Sequence, residues 1–148
     1  MDAMKLLKAD HDKVKQMLSE MEKTSERATR KRESMLGELK SELEVHEAIE
    51  EEIFYPALKE HAEARDSVLE AYEEHNVVDT VLGEIERTPS DDETWMAKFT
   101  VMKENLEHHI EEEEGEMFDQ AREPLDRDTL DLLGERMRAR KQELQAAA

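Results

Sequence analysis

An all-α fold, an up-down-up-down antiparallel four-helix bundle with a short C-terminal fifth helix, follows from three features of this 148-residue chain. Apolar residues recur at alternating steps of three and four over long stretches, the seam of a helix packed in a bundle. Four Gly and three Pro are too few for the turns of a β protein. Charged residues make up 41% and aromatic residues 4%, a balance that suits long solvated helices around a narrow core. A chain this polar would be disordered without a repeating apolar seam, and here the seam is sustained. The length fits one domain, residues 1–148, with the bundle over about 2–122 and the last helix over about 128–144.

The first helix is expected from about Asp2 to about Thr24, because Met4, Leu7, His11, Val14, Leu18 and Met21 form one unbroken seam. Ser25 to Ser34 is polar and basic and holds the turn together with the exposed start of the second helix. That helix carries Leu36, Leu39, Leu43, His46, Glu50 and Ile53 on one face and runs beyond Pro56, where the ladder is expected to kink or turn irregular. The third spans about Ala64 to about Arg87 on Val68, Tyr72, His75, Val78 or Asp79, Leu82 and Ile85, and Thr88-Pro89 stops it. Ser90 and Glu93 have the spacing of a capping box that would open the fourth helix. Its seam is Trp95, Phe99, Met102, Leu106, His109, Glu113 and Met117, and Pro124 ends it. The fifth, with Leu130, Leu133 and Met137, is expected to pack across one end of the bundle.

The net charge of −19 disfavours nucleic acid and anionic membranes as partners and draws cations instead. No apolar run approaches a membrane span, and the N-terminus MDAMKLLKADH lacks a signal peptide's apolar core. Zero Cys excludes disulfides and thiolate metal sites. A cytoplasmic monomer is the expectation.

Four of the six His, namely His11, His46, His75 and His109, fall on apolar seams, one per helix. His46 and His109 each carry a carboxylate four residues on, Glu50 and Glu113, on the same helical face. Buried unpaired carboxylates cost several kcal/mol each, and a metal is one of the few partners that offsets the cost. Counting residues along antiparallel helices places His11, His46 and His75 at one depth. His109 and Glu113 match more loosely, roughly 18 to 22 residues beyond the expected start of the fourth helix. Four imidazoles and two carboxylates suit Fe, Mn or Zn rather than Mg or Ca. The ligand count fits two ions, bridged by the two carboxylates, better than one. The Glu-x-x-His of ferritin-like di-iron bundles and the His-Glu-x-x-His of zincins are both absent. The runs Glu50 to Glu52 and Glu111 to Glu114 look like solvated faces, and most of their carboxylates read so. His108 points away from His109, His61 is expected to be exposed, and Tyr55 and Tyr72 read as core, although a phenol can ligate ferric iron. The stretch HEAIEEEIFYP in the second helix is loosely echoed by HIEEEEGEMFD in the fourth.

With these residues the chain resembles the haemerythrin (HHE cation-binding) family over about residues 4 to 120. The resemblance rests on Asp10-His11, His46-x3-Glu50, Phe54-Tyr55-Pro56, Glu74-His75 and His109-x3-Glu113. It implies a non-haem di-iron centre, two Fe ions with an oxo or hydroxo bridge. Glu50 and Glu113 would bridge the irons, His11 and His46 would serve one, and His75 and His109 the other. Oxygen-carrying members have a second His four residues after the third-helix His, where this chain has Asp79. Some relatives ligate through the residue after the second-helix His, here Glu47. The functions implied are binding or sensing of O2, peroxide or NO, catalase-like or NO-linked redox catalysis at the same irons, and iron storage or delivery.

Overall fold

The computed structural model describes residues 1–148, and it is all-helical, with no strand. Helix α1 (Ala3–Glu22) starts at Asp2, whose side chain accepts the backbone N–H of Lys5 and so caps the first turn. Helix α2 (Thr29–Ile49) continues without a break through a π-helical turn (π1, Glu50–Phe54) into α3 (Tyr55–Lys59). Helix α4 (Ala62–Glu86) returns antiparallel to that rod. The fourth rod is α5 (Trp95–Glu112), a second π-helical turn (π2, Glu113–Met117) and α6 (Phe118–Arg122). Helix α7 (Arg127–Ala147) completes the chain.

The irregularity expected at Pro56 is present, displaced into the turn before it. Pro56 has no N–H to donate, and the ladder widens so that the N–H of Tyr55 reaches back to the carbonyl of Glu50, five residues away. No proline accompanies π2, where the N–H of Phe118 makes the same reach to Glu113 across Gly115.

Two expectations need correction. Ser90 is not a helix cap: it is buried, its hydroxyl approaches the carbonyl of Thr29, and α5 begins only at Trp95 behind Thr94. The capping pattern loses to a tertiary contact, because Asp92 uses its own carboxylate to fold a tight turn with Thr94. The later start shortens the rod ahead of His109 and removes its mismatch in depth. Helix α7 is longer than expected and does not cross one end. Gly134 lies so close to the backbone of Met1 to Ala3 that a Cβ there would collide with it. Further along, Lys141 meets Asp10 and Arg140 meets Glu52, so α7 runs lengthwise in the groove between α1 and the second rod.

The apolar core is two clusters rather than one. One gathers Val14, Leu18, Leu39, Leu43, Leu82, Ile85, Trp95 and Phe99 at the end where α1 joins α2 and α4 joins α5. The other gathers Leu7, Ile49, Phe54, Tyr55, Leu58, Val68, Phe118 and Leu133 at the opposite end. The His and Glu residues of the seams form the layer between them.

Candidate metal centre

All six seam residues converge there. His11, His46, Glu50, His75, His109 and Glu113 are each 5% exposed or less. Every imidazole points Nε2 inward: His46 and His75 lie 3.1 and 3.2 Å from Glu50 Oε1, and His11 and His109 lie 3.1 and 3.3 Å from the two oxygens of Glu113. The rings pair as His11 with His46 and His75 with His109, each pair 4.9 Å between centroids. Ligand-spaced groups form on both sides of the layer, His11, His46, Glu50 and Glu113 on one and Glu50, His75 and His109 on the other.

Each Nδ1 is held from outside by a carboxylate. Asp10 holds His46 at 3.0 Å, Glu74 holds His109 at 2.8 Å, Glu51 holds His75 at 2.8 Å and Glu114 holds His11 at 2.7 Å. A proton on Nδ1 directs the lone pair of Nε2 into the centre, the tautomer a metal-ligating imidazole needs. The pattern is a repeat in space. The residue before the His of the first and third rods holds the His of the following rod, and the residue after each Glu holds a His of the other half. The echo of HEAIEEEIFYP in HIEEEEGEMFD is therefore the trace of two corresponding half-sites, and Glu51 and Glu114, although partly solvated, each hold an imidazole rather than only facing water. Their signal in the sequence is adjacency to Glu50 and Glu113.

The π turns add one more pair. In an α-helix a residue five positions on is rotated by about 140°. The wider turn brings Tyr55 back under Glu50 and Phe118 back under Glu113. Tyr55 Oη donates to Glu113 Oε2 at 2.5 Å and lies 3.4 and 3.5 Å from Nε2 of His75 and His109, whereas Phe118 stacks on His11. Tyr55 is thus a seventh inward-facing polar group, and Tyr72 packs edge-on against its ring.

Of the other candidates, Glu47 alone lies beside the centre. Asp79 is exposed, and His108 is exposed and paired with Glu112 at 2.9 Å. His61 stands partly exposed at the N-cap of α4. Glu47 is buried beside the centre and groups with Glu51 and His75.

The donor set fits a cation. Nε2 of His11 and His46, both oxygens of Glu50 and Oε1 of Glu113 are buried without a hydrogen-bond partner. Five such atoms in one layer would be prohibitive in a purely structural core. Without an ion the layer balances its charge with protons. Burial alone would lower His75 and His109, but Glu50 holds His75 up at about 9, and Glu113 with Glu74 holds His109 up at about 10. Burial would raise Glu113, and its contacts with Glu50, His109 and His11 outweigh that and hold it well below the usual carboxylate range. Burial, Asp79 and Glu50 push Glu47 up to about 8.

A divalent ion must displace the imidazole protons, so uptake at pH 7 should release protons, and affinity should rise with pH toward 9 to 10. The sign for the metal-free protein is opposite. Imidazoles raised above about 6.5 stabilise the fold fully below that pH and lose this contribution as pH rises through 9 to 10. Metal-induced stabilisation should therefore widen from pH 6.5 to 9. Titration calorimetry in buffers of different ionisation enthalpy, with melting curves across that range, reads both. A proton count of zero at pH 7 would overturn the coupling.

A four-helix bundle with a buried His4Glu2 layer defines a cation-binding helical protein. The family model for the Hemerythrin HHE cation binding domain matches residues 2–121, and the chain belongs to that family. Its structure is similar to the crystal structure of a Hemerythrin HHE cation binding domain-containing protein from Mycobacterium kansasii, with a TM-score of 0.89 and 28% identity over 99% of this chain and 89% of that one. No curated protein matches the chain. No helix is long and apolar enough to cross a membrane.

Proposed function

We propose that the chain holds two iron ions between its half-sites and uses them to bind or transform a small oxidant, O2, peroxide or NO. The observation that carries the reading is the duplicated set of inward-facing nitrogen and oxygen atoms, five of them without a hydrogen-bond partner, with one imidazole pair on each side and Glu50 and Glu113 between. Bound iron would supply an open coordination position and a change of redox state. Above the imidazoles lies a small cavity of about 10 Å³, roofed by Val14, Leu43, Val78, Leu106 and Ile110. A space of that size holds no more than about one water-sized molecule, which speaks against an organic substrate and for a very small ligand. Elemental analysis of the purified protein, with an absorption spectrum before and after peroxide, tests the proposal. About two irons per chain and peroxide-responsive bands in the near ultraviolet are expected, and zinc alone or no metal after anaerobic iron loading would overturn it.

Peroxide decomposition is the enzymatic form of the reading, and Tyr55 favours it. Its hydroxyl keeps a proton inside a site shielded from water, because burial and the neighbouring Glu113 and Glu50 raise it well above the ordinary phenol value. Tyr55→Phe removes that proton and keeps the ring packing against Phe54 and Tyr72. Oxygen evolution from peroxide should fall about 100-fold or more at unchanged iron content. Wild-type turnover in the variant would sink the catalytic reading and leave binding.

A further inference from the structure

The four carboxylates that orient the imidazoles are not equivalent. Glu51, Glu74 and Glu114 have side chains 39%, 27% and 21% exposed, so water shares their charge. Asp10 is 4% exposed and has no such relief. Its two oxygens are divided: Oδ2 faces Nδ1 of His46, and Oδ1 is paired with the ammonium of Lys141. Lys141 comes from α7, beyond the residues that the family model matches. A buried carboxylate is costly unless a close cation and hydrogen bonds to both oxygens hold it in place. Asp10 obtains the cation, and the partner of its second oxygen, from a helix outside the four-helix bundle.

We propose that Lys141 is a positioning residue of the metal centre: through Asp10 it fixes the ring of His46, so that the docked C-terminal helix sets how firmly the His11–His46 half holds its ion. The chain of contacts is continuous, from the ammonium to Asp10, to Nδ1 of His46, to Nε2 facing Glu50. The other half has no counterpart, because Glu74 is reached by no Lys or Arg and Glu51 is open to solvent. The two ions should therefore differ in lability, with the difference set from α7. This role presupposes the metal centre proposed above.

The test is anaerobic loading of the full chain with ferrous ion, followed by the kinetics of transfer to a chromogenic ferrous chelator. In Lys141→Met one of the two irons should leave about 10- to 100-fold faster, the usual loss when the partner of a metal-bound His is disturbed, while the other keeps its rate. Lys141→Arg, which preserves the cation, should restore retention. Arg140→Gln breaks the neighbouring surface pair with Glu52 and should release iron like wild type. Adding Lys141→Met to Asp10→Asn should speed release no further. In the zinc-loaded protein the ring nitrogen resonances of His46 should move in Lys141→Met and those of His75 and His109 should stay. Release of both irons at the wild-type rate from Lys141→Met, or equal acceleration by Arg140→Gln, would overturn the assignment. A wild-type chain that holds no divalent ion would instead overturn the centre itself, and this role with it.

Discussion

Glu50→Ala should lose at least one of the two irons proposed per chain and most of the thermal stabilisation that metal confers. Glu50 stands in both ligand-spaced groups, facing His46 on one side and His75 on the other through the same oxygen. No other residue is common to these two groups, so the position has no substitute. An ion present at a thousandfold excess over its Kd stabilises by about 4 kcal/mol. For a chain of this length that is about 10 °C in Tm. Glu113→Ala should behave alike, since Glu113 faces His11 and His109 and holds the Tyr55 hydroxyl. Glu111→Ala, on an exposed residue, should change neither metal content nor Tm. Glu114→Ala is no longer the silent control that its place in an acidic run suggests, because it would free Nδ1 of His11. Elemental analysis and melting curves with and without metal read the result, and full iron content in both Glu50→Ala and Glu113→Ala would refute the bridging roles.

Arg32→Ala should be among the most destabilising changes away from the centre. Arg32 is 4% exposed and has no carboxylate partner in a chain rich in them. Its guanidinium donates to the carbonyl of Ser90 at 2.6 Å, to the carbonyl of Thr24 at 3.0 Å and to the hydroxyl of Thr24 at 3.0 Å, and lies 4.4 Å from the ring centre of Trp95. One side chain thus ties the turn between α1 and α2 to the turn before α5. Truncation leaves the buried carbonyl of Ser90 and the part-buried carbonyl of Thr24 unpaired at about 1 to 3 kcal/mol each and forfeits a cation–π contact of about 1 kcal/mol. A loss of about 4 kcal/mol is expected, with Lys recovering less than half of it because it lacks the planar fork. Denaturant unfolding of the metal-free protein isolates the effect, and a loss below about 1 kcal/mol would show that the turns hold without this contact.

Arg32 also marks where the sequence is opaque. The helices, their antiparallel order and the inward face of His11, His46, His75 and His109 are local properties, carried by spacing within a single helix. Ser90 looked like a cap because the capping pattern is local too, and it lost to a contact with Thr29 more than sixty residues away, which no spacing encodes. Glu51 and Glu114 were hidden by their surroundings, since one glutamate in an acidic run resembles the next until the opposing His is in place. The π turns were half legible. Pro56 advertised an irregularity, whereas π2 contains only Gly115, and the inward swing of Tyr55 depends on an i to i+5 bond with no fixed residue signature.

The division of the core into two apolar clusters has a consequence for how the protein can change. Trp95 and Phe99 pack in one, Phe54 and Phe118 in the other, with the charged layer between. Residues far apart with no shared partners contribute to stability independently. Each end of the bundle is therefore a separate packing problem that can be solved anew, by substitution or by exchange with a relative, without disturbing its counterpart. The layer between is different in kind: its members are coupled through shared protons and contacts, so it can be inherited only as a set.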